Sequence, residues 1–392
     1  MQFEFATPQK ILFGRNSLSE VAGLAAALGS RILLLTGQSS DRFPQLVTDL
    51  KQQGMDIRLF PIKREPTLST VHEAVALGRA MQCEIVLAIG GGSVIDAGKA
   101  VAVLLTNRGD LLDYLEIIGR GQSLTHGPLP YIAIPTTAGT GTEATANAVI
   151  KSPEHGRKVS LRGRFLLPAV AVVDPMLSRS MSAALTASTG MDALTQLIEA
   201  FISRKANPLT DALCREGLIR VSRSLLRVWD DGDDIDARED MSLAALFSGM
   251  ALANAGLGAV HGFAAVIGGM TDIPHGIVCG RLLYPALCVN LKILWRTGSA
   301  PISLKKLHEL GRILTGSSGA LAEDALAWIQ KLSKKFKLPS LSESGLRSED
   351  LPKVADMARQ SSSMRGNPVD LLDGDLIRIL EGEKRQNTES SS

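Results

Sequence analysis

Along the first half of the chain, apolar residues gather in short unbroken runs separated by stretches of helical spacing. Lys10-Ile-Leu-Phe-Gly14 reads as a short strand ending in glycine, Ser17 is placed to cap a helix over 18–28, and Arg31-Ile-Leu-Leu-Leu35 is a continuous run of buried-strand type. A helix over 43–53, a strand over 56–60, a helix over 70–81 and the strand Glu84-Ile-Val-Leu-Ala-Ile89 continue the alternation, and Tyr131-Ile-Ala-Ile134 and Val170-Ala-Val-Val173 add two more strands. This pattern predicts an α/β domain with a mostly parallel sheet covered on both faces. After residue 177 helical spacing takes over, which predicts a boundary near 178–182, an N-terminal domain over 1–178 and an all-helical domain over 179–392.

Within the helical half, one stretch carries a polar stripe in apolar company. A helix expected to begin at Gly190 puts Leu194, Leu197, Ile198 and Phe201 on one face and Asp192, Gln196 and Glu199 on another. Such a stripe needs partners, and downstream stand two histidines in unusually apolar surroundings, His261 and His275. Together these residues suggest a divalent-cation site. The run from Met241 to Met270 has no charged side chain and is long enough to span a bilayer. Its Ala- and Gly-rich character, with Ser242, Asn254 and His261, instead predicts close-packed buried helices.

Composition narrows the partners. In 392 residues the formal net charge is +2, and Lys and Arg form no basic stripe, so neither nucleic acid nor an anionic membrane is an expected partner, and a small, roughly neutral substrate is. The start lacks the charged and apolar regions of a signal peptide, and the cysteines Cys83, Cys214, Cys279 and Cys288 have no C-x-x-C spacing, which points to a reduced cytoplasm. Asp230-Asp-Gly-Asp-Asp-Ile-Asp236 reads as a solvated connection without the spacing of a calcium loop. His72 and His308 read as satisfied core histidines, and the polar end over 381–392 as frayed.

Two glycine- and threonine-rich loops stand at strand ends. In Gly90-Gly91-Gly92-Ser93-Val-Ile-Asp96 the glycines remove every Cβ from the turn, and a helix beginning near Ser93 aims its positive end at a pyrophosphate. In Pro135-Thr136-Thr137-Ala-Gly-Thr140-Gly-Thr142-Glu143, small hydroxyl residues offer hydrogen-bond donors to phosphate or ribose without bulk. The two loops together predict dinucleotide binding beyond the carboxyl ends of the strands. Lys158 is either a solvated strand residue or a cation held near the cofactor.

With these residues in view the chain resembles the iron-containing (group III) alcohol dehydrogenase family, related to glycerol dehydrogenase and dehydroquinate synthase. The likeness runs nearly end to end: Thr7-Pro-Gln-Lys-Ile-Leu-Phe-Gly14, Glu65-Pro66, the two loops above, Asp174-Pro175, Gly190-Met-Asp-Ala-Leu194, Asn254-Ala-Gly-Leu-Gly-Ala-Val-His261, Ile273-Pro-His-Gly276 and Gly366-Asn-Pro368. The resemblance implies an N-terminal dinucleotide-binding domain and a helical C-terminal domain, with the active site between them. It implies a homodimer or larger homo-oligomer. It also implies a divalent metal, Fe2+ or Zn2+, held at Asp192, Gln196, His261 and His275, with Gln196 standing where the family usually has histidine. Many relatives carry a further histidine four residues after the ligand matching His261; this chain has Ala265, and no general base is assigned. Where NAD-preferring members resemble Val-Thr-Asp, this chain has Leu35-Thr36-Gly37, which removes the repulsion of a 2′-phosphate and favours NADP over NAD.

From the resemblance, Asp96 and residues 136–142 bond groups near the pyrophosphate, and Lys158 lies beside the nicotinamide ribose. The expected reaction is reversible hydride transfer between the nicotinamide and a primary alcohol or aldehyde, in a pocket shaped by side chains such as Phe263, Val266 and Leu283. Three alternatives stay open at this point. They are a metal-independent reductase of the maleylacetate reductase type, a dehydroquinate synthase-like lyase, and a non-catalytic nucleotide-binding relic.

Overall fold

In the computed structural model, which describes residues 2–388, the apolar runs of the first half pair side by side. The strands are β1 (Lys10–Phe13), β2 (Arg31–Thr36), β3 (Asp56–Pro61), β4 (Ile85–Gly90), β5 (Tyr131–Pro135), β6 (Asn147–Ser152), β7 (Arg157–Arg162) and β8 (Val170–Val173). Six of them form a sheet in the order β1-β8-β5-β4-β2-β3, with every neighbouring pair parallel. Between them run α1 (Val21–Ala26), α2 (Pro44–Gln52), α3 (Leu68–Ala80), α4 (Gly92–Thr106) and the single turn α5 (Leu111–Tyr114).

Because successive side chains of a strand face opposite ways, each apolar run feeds two cores. Ile32, Leu34, Ile85, Leu87 and Ile132 pack with Val21 and Ala25 of α1 and with Leu46 and Leu50 of α2. Leu33, Leu35, Val86, Ala88 and Ala133 pack with Val71 and Val75 of α3 and with Val94 and Val101 of α4. The chain therefore leaves β2 towards one face and β4 towards the other, although the two strands are neighbours. Such a divergence opens a crevice beyond their carboxyl ends, where Gly37 and Gly90–Gly92 lie.

Two local expectations change. The helix start assigned to Ser17 is a 3-10 turn over Ser17–Glu20, and α1 begins only at Val21. The cap comes from across the sheet: the Asp174 carboxylate accepts from the N–H groups of Asn16 (3.1 Å), Leu18 (3.2 Å) and Met176 (3.0 Å), while the buried Ser17 hydroxyl has no hydrogen-bond partner. A charged acceptor shared by three amides outcompetes a local hydroxyl. The second change is that β6 and β7 form a separate antiparallel ribbon, whose inward residues Ala148, Ile150, Val159 and Leu161 extend the core under α4. More than half its residues are polar, so no long apolar run announces it.

The chain divides into two compact units, residues 6–180 and residues 181 onward with the first few residues. The second unit is helical: α6 (Ala183–Ile202), α7 (Pro208–Asp230), α8 (Ile235–Ala255), α9 (Ala259–Met270), α10 (His275–Thr297), α11 (Pro301–Thr315), α12 (Ala322–Phe336), α13 (Leu351–Arg359) and α14 (Asp373–Thr388). α6 starts well before Gly190, capped by the Ser182 hydroxyl, which accepts from Leu185 N–H at 3.2 Å. Gly190 is instead a contact glycine, since a Cβ there would lie 2.2 Å from Leu225 Cδ1 on α7.

The uncharged run 241–270 is broken at Gly256, and α8 and α9 meet at 100°. α10 is long and apolar enough to cross a bilayer, but 72% of that stretch is buried, as in a core helix. In the acidic connection between α7 and α8, Asp234 caps α8 through Ala237 N–H (3.0 Å) and pairs with Arg227 (2.8 Å). α14 carries helix through most of the polar end expected to fray, and residues 389–392 lie outside the described residues.

Replacing Gly190 by valine forces α6 from α7, at a cost of about 1–3 kcal/mol. A thermal melt should show a clearly lower Tm for Gly190→Val, and an unchanged Tm would mean that the two helices are not in close contact at this residue.

Candidate functional site

The first unit supplies two adjoining loops. Thr136 N–H donates to Gly90 O at 2.9 Å, tying the end of β5 to the end of β4. From there the loops run together: a Cβ on Gly91 would lie 3.7 Å from Thr137, and one on Gly92 would lie 3.1 Å from Thr140. Gly91 caps α4 without a side chain, so the first N–H groups of that helix stay free to bind an anion, with Ser93 in its first turn. Gly37 has nothing within 4 Å of where a Cβ would stand, so the loop after β2 is open.

Asp96 and Thr142 commit their polar atoms inward. The Asp96 carboxylate accepts from the Thr142 hydroxyl at 2.5 Å and from Val149 N–H at 3.1 Å. The Lys99 ammonium, on the same helix, donates to Thr142 Oγ1 (3.2 Å), Thr145 O (2.8 Å), Thr145 Oγ1 (2.7 Å) and Asn147 O (2.8 Å). Burial pulls Lys99 down to about 8 against the attraction of Asp96 and Glu143. Burial likewise pushes the neighbouring Glu143 carboxyl up to about 7, opposed by its own backbone N–H and by Lys99. This cluster clamps the threonine loop and β6 to α4. Lys158, on β7, is ion-paired with Glu65.

In the second unit the polar stripe of α6 finds its partners. Asp192, buried to 2% exposure, places Oδ1 3.2 Å from His261 Nε2 on α9 and 3.7 Å from His275 Nε2 at the start of α10. Cys279, one turn beyond His275, sets its Sγ 3.7 Å from His261 Nε2. The ligand atoms of Asp192, His261, His275 and Cys279 all lie within 4.8 Å of one another. A tetrahedral ion with bonds of about 2.0–2.3 Å needs donor atoms about 3.3–3.6 Å apart, so the pairs at 3.2 and 3.7 Å stand near that spacing, and the wider pairs of the set, up to 4.8 Å, would close by about 1 Å around a divalent cation. His275 is the half-exposed member and opens the cluster to a ligand.

The supporting contacts select the right nitrogen. His261 Nδ1 faces Glu199 Oε2 at 2.7 Å, which leaves Nε2 for an ion. Glu199 also caps α9, accepting from Val260 N–H (2.7 Å) and His261 N–H (3.3 Å). Gly258 makes room for that carboxylate, because a Cβ there would lie 2.8 Å from Glu199 Oε1. Asn367, from the Gly366-Asn-Pro368 motif, accepts from Ala259 N–H at 3.3 Å. Burial raises the Asp192 carboxyl, but His275 and His261 outweigh it and hold it below the usual carboxylate range. For His261, burial pulls down, while Cys279, Asp192 and Glu199 pull it well above the usual imidazole value.

Gln196 stands beside the cluster with its amide nitrogen 3.2 Å from Asp192 Oδ1 and its oxygen accepting from the Ser248 hydroxyl at 2.9 Å. Sequence reasoning placed Glu199 on the polar stripe without a ligand role, and did not single out Cys279 or Ser248 for roles here. For Cys279 the signal was available, a cysteine four residues after His275 on one helix face. Of the pocket residues expected, Phe263 and Leu283 are fully buried in the core, and Val266 is partly exposed. His308 Nδ1 accepts from Ala322 N–H at 3.1 Å, as a satisfied histidine should. His72 is no core residue: it is half-exposed and lies 3.5 Å from Asp110.

Comparison with known proteins agrees along the chain. The family model described as "Iron-containing alcohol dehydrogenase" matches residues 8–175, and that described as "Fe-containing alcohol dehydrogenase family, C-terminal" matches residues 186–383. The chain is 35% identical over 376 residues to a 1,3-propanediol dehydrogenase of Klebsiella pneumoniae, covering 93% of this chain and 95% of that protein. The crystal structure of a 1,3-propanediol oxidoreductase superposes with a TM-score of 0.90 at 32% identity, covering 98% of this chain and 100% of that one. A sulfoacetaldehyde reductase from Bifidobacterium kashiwanohense, solved with NAD+, superposes with a TM-score of 0.86 at 26% identity, covering 97% of this chain and 98% of that one.

The buried carboxyl in the threonine loop gives a pH test. Glu143 is raised from the ordinary 4.5 to about 7, so across that interval the folded chain holds a proton the unfolded chain has lost, and stability falls as pH rises. Glu143→Gln removes this contribution. Its Tm advantage over the parent should grow from pH 5 to about pH 7 and level off above; a difference constant with pH would contradict the assignment.

Proposed function

The chain belongs to the iron-containing alcohol dehydrogenase family and is an oxidoreductase acting on CH–OH donors, and we propose that it interconverts a primary alcohol and its aldehyde with NADP(H), assisted by a divalent ion at Asp192, His261 and His275. The observation that carries this reading is the convergence of Asp192 Oδ1 with the Nε2 atoms of both histidines in a buried cluster. When bound, the ion supplies the Lewis acidity that polarises a carbonyl and eases loss of the hydroxyl proton, and the nicotinamide carries the hydride.

The residues of the chain bind and orient. Gly90–Gly92 and Ser93 receive the pyrophosphate at the start of α4, and Thr136, Thr137 and Thr140 border it, while the Asp96–Thr142 contact holds their loop in place. Lys158, steadied by Glu65, serves the nicotinamide ribose. Glu199 fixes the ring of His261. Ala265 carries no titratable group, and no general base is assigned.

Gly37 supports NADP over NAD, because the position directly after Thr36 bears no carboxylate to repel a 2′-phosphate and has open space around it. A reduced, cytoplasmic setting accords with the four free cysteines, and a homodimer or larger homo-oligomer accords with the family resemblance. The position of the Gln196 amide nitrogen on Asp192 favours one rival, a reductase that needs no metal. Activity retained in full after chelation would decide for it.

Asp192→Ala should lower NADPH-dependent aldehyde reduction by roughly a hundredfold or more, measured as kcat/KM, and unchanged turnover would sink the metal role. Gly37→Asp should lower the ratio of kcat/KM with NADPH to that with NADH by about tenfold or more. An unaltered ratio would mean that residue 37 does not set the cofactor preference.

A further inference from the structure

The corner of the metal centre that histidine occupies in the family is given up by Gln196, and another helix fills it. This inference rests on the reading that the cluster binds a divalent ion. The Gln196 amide turns its NH2, which has no lone pair for a cation, to Asp192 Oδ1 at 3.2 Å, and its oxygen lies away from the cluster, 2.9 Å from Ser248 Oγ. Cys279 is fully buried, and its Sγ lies 3.7 Å from His261 Nε2 and within 4.8 Å of the ligand atoms of Asp192 and His275. The backbone is shaped to bring it there. A Cβ on Gly276 would stand 2.0 Å from Ser188 O, and one on Gly280 would stand 3.2 Å from Met191 Cβ, so glycines on both sides of Cys279 let α10 settle onto α6.

We propose that the Cys279 thiolate is the fourth metal ligand and that Gln196 is a positioning residue bracing Asp192. The centre then consists of one carboxylate, two imidazoles and one thiolate. On binding, the Cys279 S–H proton passes to solvent as the sulfur–metal bond forms, and the two charges of the ion are balanced by Asp192 and Cys279. A thiolate in place of an imidazole shifts the preference of the site from ferrous iron towards zinc.

X-ray absorption at the zinc edge of the zinc-loaded full chain tests this directly. The expected result is a sulfur neighbour at about 2.3 Å, absent in Cys279→Ser, with zinc retained over equimolar ferrous iron under anaerobic conditions. Cobalt-loaded parent protein should show a thiolate-to-cobalt charge-transfer band in the near ultraviolet, a readout that needs no variant to fold. Gln196→Ala should weaken zinc binding about 10- to 100-fold while keeping the sulfur neighbour. A zinc shell of nitrogen and oxygen alone, or a sulfur neighbour that survives Cys279→Ser, overturns the thiolate ligand and leaves metal-assisted catalysis standing. Unchanged zinc affinity in Gln196→Ala overturns the bracing role. A chain that takes up no divalent ion overturns both this inference and the reading beneath it.

Discussion

A carboxylate buried inside a helix bundle is the constraint that organises the second unit. Asp192 is 2% exposed, and an ionised carboxyl so placed is unstable unless donors or positive charge surround it. Its surroundings come from three helices besides its own. Gln196 donates from α6, His261 approaches from α9 and His275 from α10, and Ser248 on α8 holds Gln196 in its turn. Two of those helices come close at glycines, α9 at Gly258 and α10 at Gly276 and Gly280. A divalent ion at the centre would replace several weak compensations by one strong one.

The first unit solves a different problem with similar means. A sheet whose strands are apolar on both faces leaves polar chemistry to its carboxyl edge, and there the chain places backbone N–H groups and small hydroxyls. What keeps that edge in shape is a buried ionic cluster. Asp96 and Lys99 on α4 seize the threonine loop and the β6 backbone, so the residues that look most like ligands partly serve as struts. Each of the two charges is satisfied through the threonine loop and the β6 backbone, so removing either leaves buried polar groups without partners.

The elements with the strongest periodicity were the most legible in the sequence. Runs such as Arg31–Leu35 and Glu84–Ile89 announced a parallel sheet because both faces of each strand are buried, and Asp192, His261 and His275 stood out as polar residues in apolar runs. The β6–β7 ribbon was not legible, since more than half its residues are polar. The start of α6 was misplaced because Gly190, taken for a boundary, is a packing contact with Leu225. The place of Cys279 in the cluster is not legible, because it depends on how α10 packs on α6 and α9. Spacing along one helix cannot show which residue of another helix fills a vacated corner.

The central claim is that a divalent ion at Asp192, His261 and His275 assists hydride transfer. The most direct test is to strip the chain of metal, titrate it with zinc or ferrous iron, and follow NADPH-dependent aldehyde reduction against bound metal. The account predicts baseline activity at zero occupancy and a linear rise that ends at one ion per chain. Full turnover in the metal-free chain would contradict it.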